Sequence, residues 1–414
     1  MNGMLSGYRA LDLTDWRGWL CGRVLADMGV EVTKVEPPGG DPDRMREPFY
    51  HDEAHPEKSL WWWAYNQGKK SITLDMEATP GRELFRSLVK KTDFLIESFP
   101  PGHMEGLGLG YGDIQTSNPG LIWVSVTPFG QDGPYRDYRG PDIVTMALGG
   151  FMSLTGDPDR APLRLSFPVS HALASLQAAL GAMVAFHHRQ ATEQGQFVDV
   201  SAQESVTTAL LNAIPMWDMN RVLIQRTGRF RSGLSSGVKQ RQVWQCRDGS
   251  VAYMVVGGLG GAQSHRALVK WMEAEGMGDE FMSSIDWDQF DMATASREFH
   301  TRVEEALGRF FLSHTKHELH QGAVDRGIWL QLVSSPHDIA DSTHLSARDF
   351  WAKVPHPEVG ESVTYPGPFV KATASPIQVG TRAPLVGEHN QEVYAEVLGL
   401  SAAEVAELKE KGVI

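Results

Sequence analysis

Strands and helices alternate along the first 130 residues of this 414-residue chain. Short apolar runs predict strands, and the stretches between several of them predict helices. Such alternation is typical of an α/β fold with a mostly parallel sheet, whose ligands bind at the carboxyl ends of the strands. No G-x-G-x-x-G run follows the first strand, so a nicotinamide or flavin dinucleotide is not predicted. The predicted strands are residues 11–14, 30–35, the end of 66–75, 94–97 and 121–127, and the predicted helices are 18–28 and 83–91.

Residues 167–205 predict a buried helix followed by a short strand at 197–200. Leu173, Leu176 and Leu180 fall at helical spacing, and alanines fill the faces between them. Ser170 and His171 stand at the polar start of this helix, where an N-cap is expected. The start of a buried helix stabilises negative charge, which makes it a natural place for an anionic nucleophile.

The length of the chain and its changes in character predict two domains. Residues 1–206 form the first part of a large α/β domain, and 207–241 form a linker rich in arginine. Residues 242–325 form a small α+β domain that begins with a hairpin at 242–256. Strand character returns at 329–333, so residues 326–414 are assigned to a return linker and the rest of the large domain.

Composition narrows the environment and the partners of the chain. Cys21 and Cys246 are the two cysteines, and their separation matches no disulfide framework or metal-ligand spacing, which favours the reducing cytoplasm and no metal. A formal charge of −13 argues against nonspecific binding of nucleic acid. No signal peptide and no apolar run long enough to cross a bilayer is identified, so no membrane association is predicted.

Short motifs are spread over nearly the whole chain. They are Leu11-Asp12-Leu13-Thr14, Leu25-Ala26-Asp27-Met28-Gly29, Lys34-Val35-Glu36, Gly108-Leu109-Gly110-Tyr111, Phe129-Gly130-Gln131, Gly195-Gln196 and Arg382-Ala383-Pro384. In their order and spacing these motifs resemble those of the family III CoA-transferases, which include formyl-CoA transferase and α-methylacyl-CoA racemase. The resemblance implies an interlocked dimer, in which each chain has a large Rossmann-like parallel-sheet domain built from both chain ends and a small middle domain.

The resemblance also places His171 where these transferases carry an aspartate nucleophile, counted back from Gly181. In the family, that aspartate attacks an acyl-CoA thioester, and the mixed anhydride so formed is then attacked by CoA thiolate to leave an aspartyl-CoA thioester. Both intermediates are acyl derivatives of a carboxylate. Imidazole cannot form an equivalent CoA thioester, so no catalytic residue is expected in this chain.

Several side chains are candidate contacts for CoA, which the resemblance implies as acyl-CoA substrate. They are Arg17, near the pantetheine chain, and Lys70, Phe99 and Arg139, near adenine and phosphates. The Gly-rich run 257–263, with Gly260 and Gly261, resembles a mobile loop that closes over the active site.

Three functions follow as hypotheses. The first is a subunit of a hetero-oligomeric CoA-transferase that moves CoA from succinyl-CoA to a dicarboxylate, aromatic or not, such as benzylsuccinate in anaerobic toluene degradation. A homologous partner chain would then carry the aspartate. The second is a homodimeric isomerase or racemase of CoA thioesters that uses His171 and Asp142. The third is a non-catalytic CoA-thioester binder.

Overall fold

The structure is a computed structural model that describes residues 3–232, 239–291, 294–377 and 379–414. Its contacts divide the chain into two compact units. The first comprises Met1–Phe151, Arg164–Asn220 and His344–Ile414, and the second comprises Met152–Leu163 and Arg221–Thr343. These limits differ from the predicted domain boundaries, because residues 152–163 and 326–343 group with the middle of the chain.

The first unit is built on a parallel sheet of six strands in the order β3-β2-β1-β4-β5-β6. The predicted α/β class and the predicted strands of this sheet are therefore confirmed. Side chains alternate between its two faces, so Ala10 and Ile96 face one helical layer and Leu11 and Leu95 the other. The strands are β1 Arg9–Leu13, β2 Glu31–Glu36, β3 Lys70–Thr73, β4 Phe94–Glu97, β5 Ile122–Thr127 and β6 Gln196–Ser201.

Helices cover both faces of this sheet. Cys21 and Leu25 of α1 pack with alanines of α7 on one face, and Phe85 and Leu88 of α3 pack on the other. In this part of the described chain the helices are α1 Trp19–Asp27, α2 Leu60–Tyr65, α3 Thr79–Val89, α4 His103–Gly106, α5 Tyr111–Ile114, α6 Asp142–Leu148, α7 Val169–Thr192, α8 Ala202–Thr208 and α9 Ala213–Asn220.

Helix α7 buries the opposite face from the one predicted. Ala174, Ala178 and Ala182 are buried against the sheet, whereas Leu176 and Leu180 are exposed. The small alanine side chains let the helix backbone approach the strands closely, which the leucines would prevent. The N-cap prediction is also wrong, because the helix begins at Val169 after Pro168 and has no side-chain cap.

Helix α7 is also long and apolar enough, by length and composition alone, to cross a bilayer. The expectation that the chain lacks such a run is therefore wrong. The helix is this apolar because alanines fill its inner face and because its outer face carries leucine and valine. Its alanine face packs on β5 and β6 in the core. A core helix of this kind passes the same test of length and hydropathy.

In the first unit, the C-terminal segment packs against the edge of the sheet at β3. The Tyr394 hydroxyl donates to the Thr73 carbonyl oxygen at 2.7 Å, and the Asn390 side chain accepts from the Thr73 backbone N–H at 2.8 Å. Both ends of the chain thus build this unit. The segment contains α15 Thr343–Ala347, the hairpin β12 Trp351–His356 and β13 Glu361–Pro366, and the helices α16 Asn390–Leu398 and α17 Ala402–Glu410.

The second unit has its own core, which includes Trp244, Trp271 and Phe310. The predicted hairpin is present as β9 and β10, but the strand near residue 330 does not return to the large sheet. It pairs antiparallel with β10, with Val251 opposite Leu332. The described elements here are β7 Phe230–Ser232, β8 Lys239–Arg241, β9 Val243–Cys246, β10 Gly249–Tyr253, α10 Gly258–Ala274, α11 Glu280–Ser284, α12 Arg297–Leu312, α13 Lys316–Arg326, β11 Leu330–Leu332 and α14 Pro336–Ala340. Residues 233–238 of the predicted linker lie outside the described residues.

Candidate active site

A cavity of about 420 Å³ lies at the carboxyl ends of the first four strands. It is lined by Asp15 and Arg17 after β1, Pro37 after β2, Asp75 after β3 and Phe99 after β4. The strand order reverses between β1 and β4, and parallel sheets bind ligands at such a switch point. The cavity predicted from the strand pattern is therefore present, and Arg17 and Phe99 both reach it.

A hydrogen-bonded loop network fixes the side chain of Arg17. Its Nε donates to both carboxylate oxygens of Asp15, at 2.9 and 2.8 Å, and its Nη2 donates to the Ser98 carbonyl oxygen at 3.1 Å. The Ser98 hydroxyl donates to Asp15 at 3.1 Å, which closes the network. Arg17 also lines a narrow slot beside His171. It therefore links the cavity to the position that the family motif assigns to the nucleophile.

Glu97 is buried and interacts electrostatically with Arg17 of this network, and the sequence did not single it out. It ends β4, and its carboxylate accepts a hydrogen bond from the Phe99 backbone N–H at 2.6 Å. Burial raises the pKa of Glu97 to about 7. The sequence feature that could have identified Glu97 is an acidic residue at the end of a fully buried strand. Glu97 holds the turn that presents Phe99 to the cavity.

His171 is buried in the first turn of α7. Its ring stands edge-on to the indole of Trp16, with 4.7 Å between ring centroids. Burial and the nearby Arg17 lower the pKa of His171 to about 4, so its imidazole is neutral at pH 7. Its Nε2 is buried without a hydrogen-bond partner among the described residues. This side chain is packed as a neutral aromatic ring.

Asp142 satisfies polar groups at the start of α7. Its Oδ1 accepts from the Ser170 backbone N–H at 3.0 Å and from the Ser170 hydroxyl at 2.7 Å. Ser170 in turn accepts from the Thr145 hydroxyl at 2.8 Å. Because an unpaired buried N–H is costly, Asp142 supplies the capping that the helix lacks locally. Its Oδ2 has no partner within the described structure.

Aromatic side chains close the slot beside His171. Trp16, Trp61, Tyr65 and Phe167 line it, and its free volume is about 10 Å³. That volume accommodates at most one water molecule. The space directly beside His171 is therefore narrow.

Two of the predicted CoA contacts lie away from the cavity. Lys70 begins β3 and so lies at the amino end of the strand, whereas the cavity lies at the carboxyl end. Its ammonium group pairs with Glu31 at 2.9 Å and Glu392 at 2.8 Å. Arg139 is exposed in the loop between β5 and α6 and does not line the cavity. The structure does not bring either residue to Arg17 and Phe99.

Gly260 and Gly261 belong to the first turns of α10 rather than to an open loop. A Cβ atom at Gly260 would lie 2.6 Å from the ring of Trp329, and one at Gly261 would lie 2.2 Å from the carbonyl oxygen of Val256. Close packing within the second unit therefore explains both glycines. A role for this segment in covering the active site stays a prediction.

The fold and cavity define a Rossmann-like α/β protein with a ligand cavity at the switch point of its parallel sheet. The family model for CoA-transferase family III matches residues 5–390, so the chain belongs to that family, as its motifs indicated. Similar proteins are the succinyl-CoA:(R)-benzylsuccinate CoA-transferase subunit BbsE of Thauera aromatica, 32% identical over 99% of this chain and 98% of that protein, and the succinyl-CoA–D-citramalate CoA-transferase of Chloroflexus aurantiacus, 33% identical over 99% and 98%. A CAIB/BAIF family protein from Brucella suis superimposes with a TM-score of 0.82 at 25% identity, covering 96% of this chain and 100% of the other.

Proposed function

We propose that this chain is the subunit without a nucleophile in a hetero-oligomeric family III CoA-transferase that moves CoA from succinyl-CoA to a dicarboxylic acid. The observation that carries the proposal is the state of His171, a buried neutral imidazole in a slot of about 10 Å³. The reaction needs a carboxylate that is acylated and then converted to a CoA thioester. His171 supplies no carboxylate, and the slot beside it is narrow.

The partner in this proposal is a homologous chain with aspartate at the matching position. One relative, BbsE, is itself named a subunit of a succinyl-CoA-dependent transferase, which supports a hetero-oligomer. The exposed apolar stripe of α7, which includes Leu180 and Val184, supports close association with another chain. An interlocked arrangement is the form that we propose for this association, and the cytoplasm is the proposed location.

An aromatic dicarboxylate such as benzylsuccinate is the acceptor that we propose. The name of BbsE supports a substrate of this class, and so do the aromatic side chains near His171. The cavity with Arg17 and Phe99 is proposed to hold CoA, with Phe99 against adenine and Arg17 near the pantetheine chain, because an aromatic face suits a nucleobase.

One observation favours the alternative of a racemase or isomerase. His171 Nε2 and Asp142 Oδ2 are both buried and both lack partners within the described residues, as a proton-transfer pair could be before substrate binds. Against it, Asp142 does not line the slot that His171 lines. Asp142 is also engaged in capping α7 through its other oxygen.

The test is to express this chain alone and together with a homologue that retains the aspartate, and to assay CoA transfer from succinyl-CoA to benzylsuccinate. We expect transfer by the pair and none by either the chain alone or a pair whose partner aspartate is changed to asparagine. His171→Ala in the pair should change the rate by less than about threefold. Trapping with hydroxylamine or borohydride that labels an acidic side chain of this chain by itself would refute the proposal.

The same proteins separate the alternatives. Exchange of the α-proton of an acyl-CoA, lost in both His171→Ala and Asp142→Asn, would establish the racemase instead. CoA-thioester binding with no turnover by any pair would leave a non-catalytic binder.

A further inference from the structure

Arg46 is a stacked arginine whose charge is left without a carboxylate partner in the described structure. It lies in the loop after β2, and its guanidinium carbon is 3.8 Å from the ring centroid of Trp16 and 5.0 Å from that of Trp61. Its Nε is buried without a hydrogen-bond partner among the described residues. Asp43 interacts with it electrostatically but forms no ion pair with it. A buried guanidinium N–H without a partner is costly, so this group invites an acceptor.

Neighbouring arginines of the first unit are paired. Arg44 binds Glu36 at 2.6 Å, Arg23 binds Asp27 at 2.9 Å, and Arg17 binds Asp15. Each of these cations is neutralised within the chain. Arg46 differs from them, although it lies only two residues from Arg44. A general need for surface charge does not explain its position over the indole of Trp16 and near that of Trp61.

Stacking leaves the donors of a guanidinium free to act. The guanidinium lies over the indole of Trp16, which interacts with its charge but accepts none of its N–H bonds in the plane of the ring. A carboxylate accepts two parallel hydrogen bonds from the edge of a guanidinium.

The surroundings of Arg46 favour an acid with an apolar or aromatic part. Phe167 stacks on Trp61 with 5.4 Å between ring centroids, and Phe167 is 44% exposed. Trp16 contacts both Arg46 and His171. A carboxylate at Arg46 is therefore one side chain away from the family's nucleophile position, with an aromatic surface beside it.

We infer that this chain has an acid-binding site in which Arg46 binds a carboxylate of the dicarboxylic substrate, and Trp61 and Phe167 contact its hydrocarbon part. The inference rests on the proposed function for the substrate class, and it adds a site on the chain that does not carry the nucleophile. A phosphate shares the oxyanion chemistry, and the aromatic surroundings favour the carboxylate.

The test is isothermal titration of the full-length chain with succinate, benzylsuccinate and inorganic phosphate at low salt. We expect Arg46→Gln to weaken the binding of both acids at least tenfold and Arg46→Lys to weaken it less. Benzylsuccinate should bind more tightly than succinate. Arg302→Gln is the matched control, because Arg302 stacks on Phe281 at 3.8 Å in the second unit, and it should leave binding unchanged.

Equal binding by Arg46→Gln and the unmodified chain overturns the inference, and so does Arg46-dependent binding of phosphate without binding of either acid. Circular dichroism of Arg46→Gln checks that the variant is folded. These results are independent of CoA transfer by the complex, which tests the proposed function. If the complex transfers CoA while this chain binds no acid, the acid-binding site is refuted and the proposed function is not.

Discussion

The indole of Trp16 stands edge-on to the imidazole of His171, with 4.7 Å between their centroids and 86° between their planes. Edge-to-face pairs of this kind are a common packing of buried aromatic rings. The residue at the position of the family's nucleophile is thus held as part of the core, at the start of a helix that is capped by Asp142. Its replacement should affect stability more than chemistry.

We expect His171 to make the protein less stable in acid. Its pKa is about 4 in the folded chain against an ordinary value of 6.5, so between these values the unfolded chain binds more protons. Stability is therefore lost as the pH falls from 6.5 to 4, by up to about 3 kcal/mol. In His171→Phe the difference in melting temperature between pH 7 and pH 5 should shrink. His188→Phe, on the exposed side of the same helix, should leave that difference unchanged, and an equal change in both variants would contradict the explanation.

Glu97 should give folding stability the opposite dependence on pH. Burial raises its pKa to about 7 from 4.5, so the folded chain keeps a proton that the unfolded chain releases as the pH rises through this range. Its contribution is complete below pH 4.5 and is lost by about pH 7, a change of up to about 3 kcal/mol. Glu97→Gln should raise the melting temperature at pH 8 and hardly at pH 5, because glutamine still accepts from the Phe99 N–H. Glu83→Gln, at an exposed position of α3, is the control. A Glu97→Gln variant with a lower melting temperature than the unmodified chain at pH 8 would show that the folded chain favours the charged form of Glu97, contrary to this prediction.

Local sequence was enough to predict the parallel sheet, because each strand is a buried apolar run bounded by turns and separated by a helix. It was not enough for helix α7, where two apolar stripes share one helix. Periodicity does not tell whether the Ala178 side or the Leu180 side meets the sheet. The alanine side meets it because small side chains let the helix backbone approach the strands closely. The strand Leu330–Leu332 also shows this limit, because its pairing partner β10 lies about 80 residues earlier in the chain.

The candidate site, too, was predicted only in part from the sequence. Arg17, Phe99 and His171 were identified through motifs, since each lies next to a recognisable strand or helix end. The packing of Trp16 on His171 and the unpaired charge of Arg46 could not be predicted. They depend on contacts between segments that are far apart in sequence.

The exposed stripe of α7 should be needed for assembly. Leu180 and Val184 are 65% and 62% exposed, and burying them would contribute about 1.5–3 kcal/mol each. Leu180→Glu should therefore keep the melting temperature of the isolated chain but release it from a co-expressed partner, as measured by light scattering after gel filtration. Leu312→Glu, a similarly exposed leucine of the second unit, should leave the complex intact. If Leu180→Glu elutes in the same complex as the unmodified chain, the α7 stripe is not the contact surface, and the proposed interlocked arrangement loses its structural support.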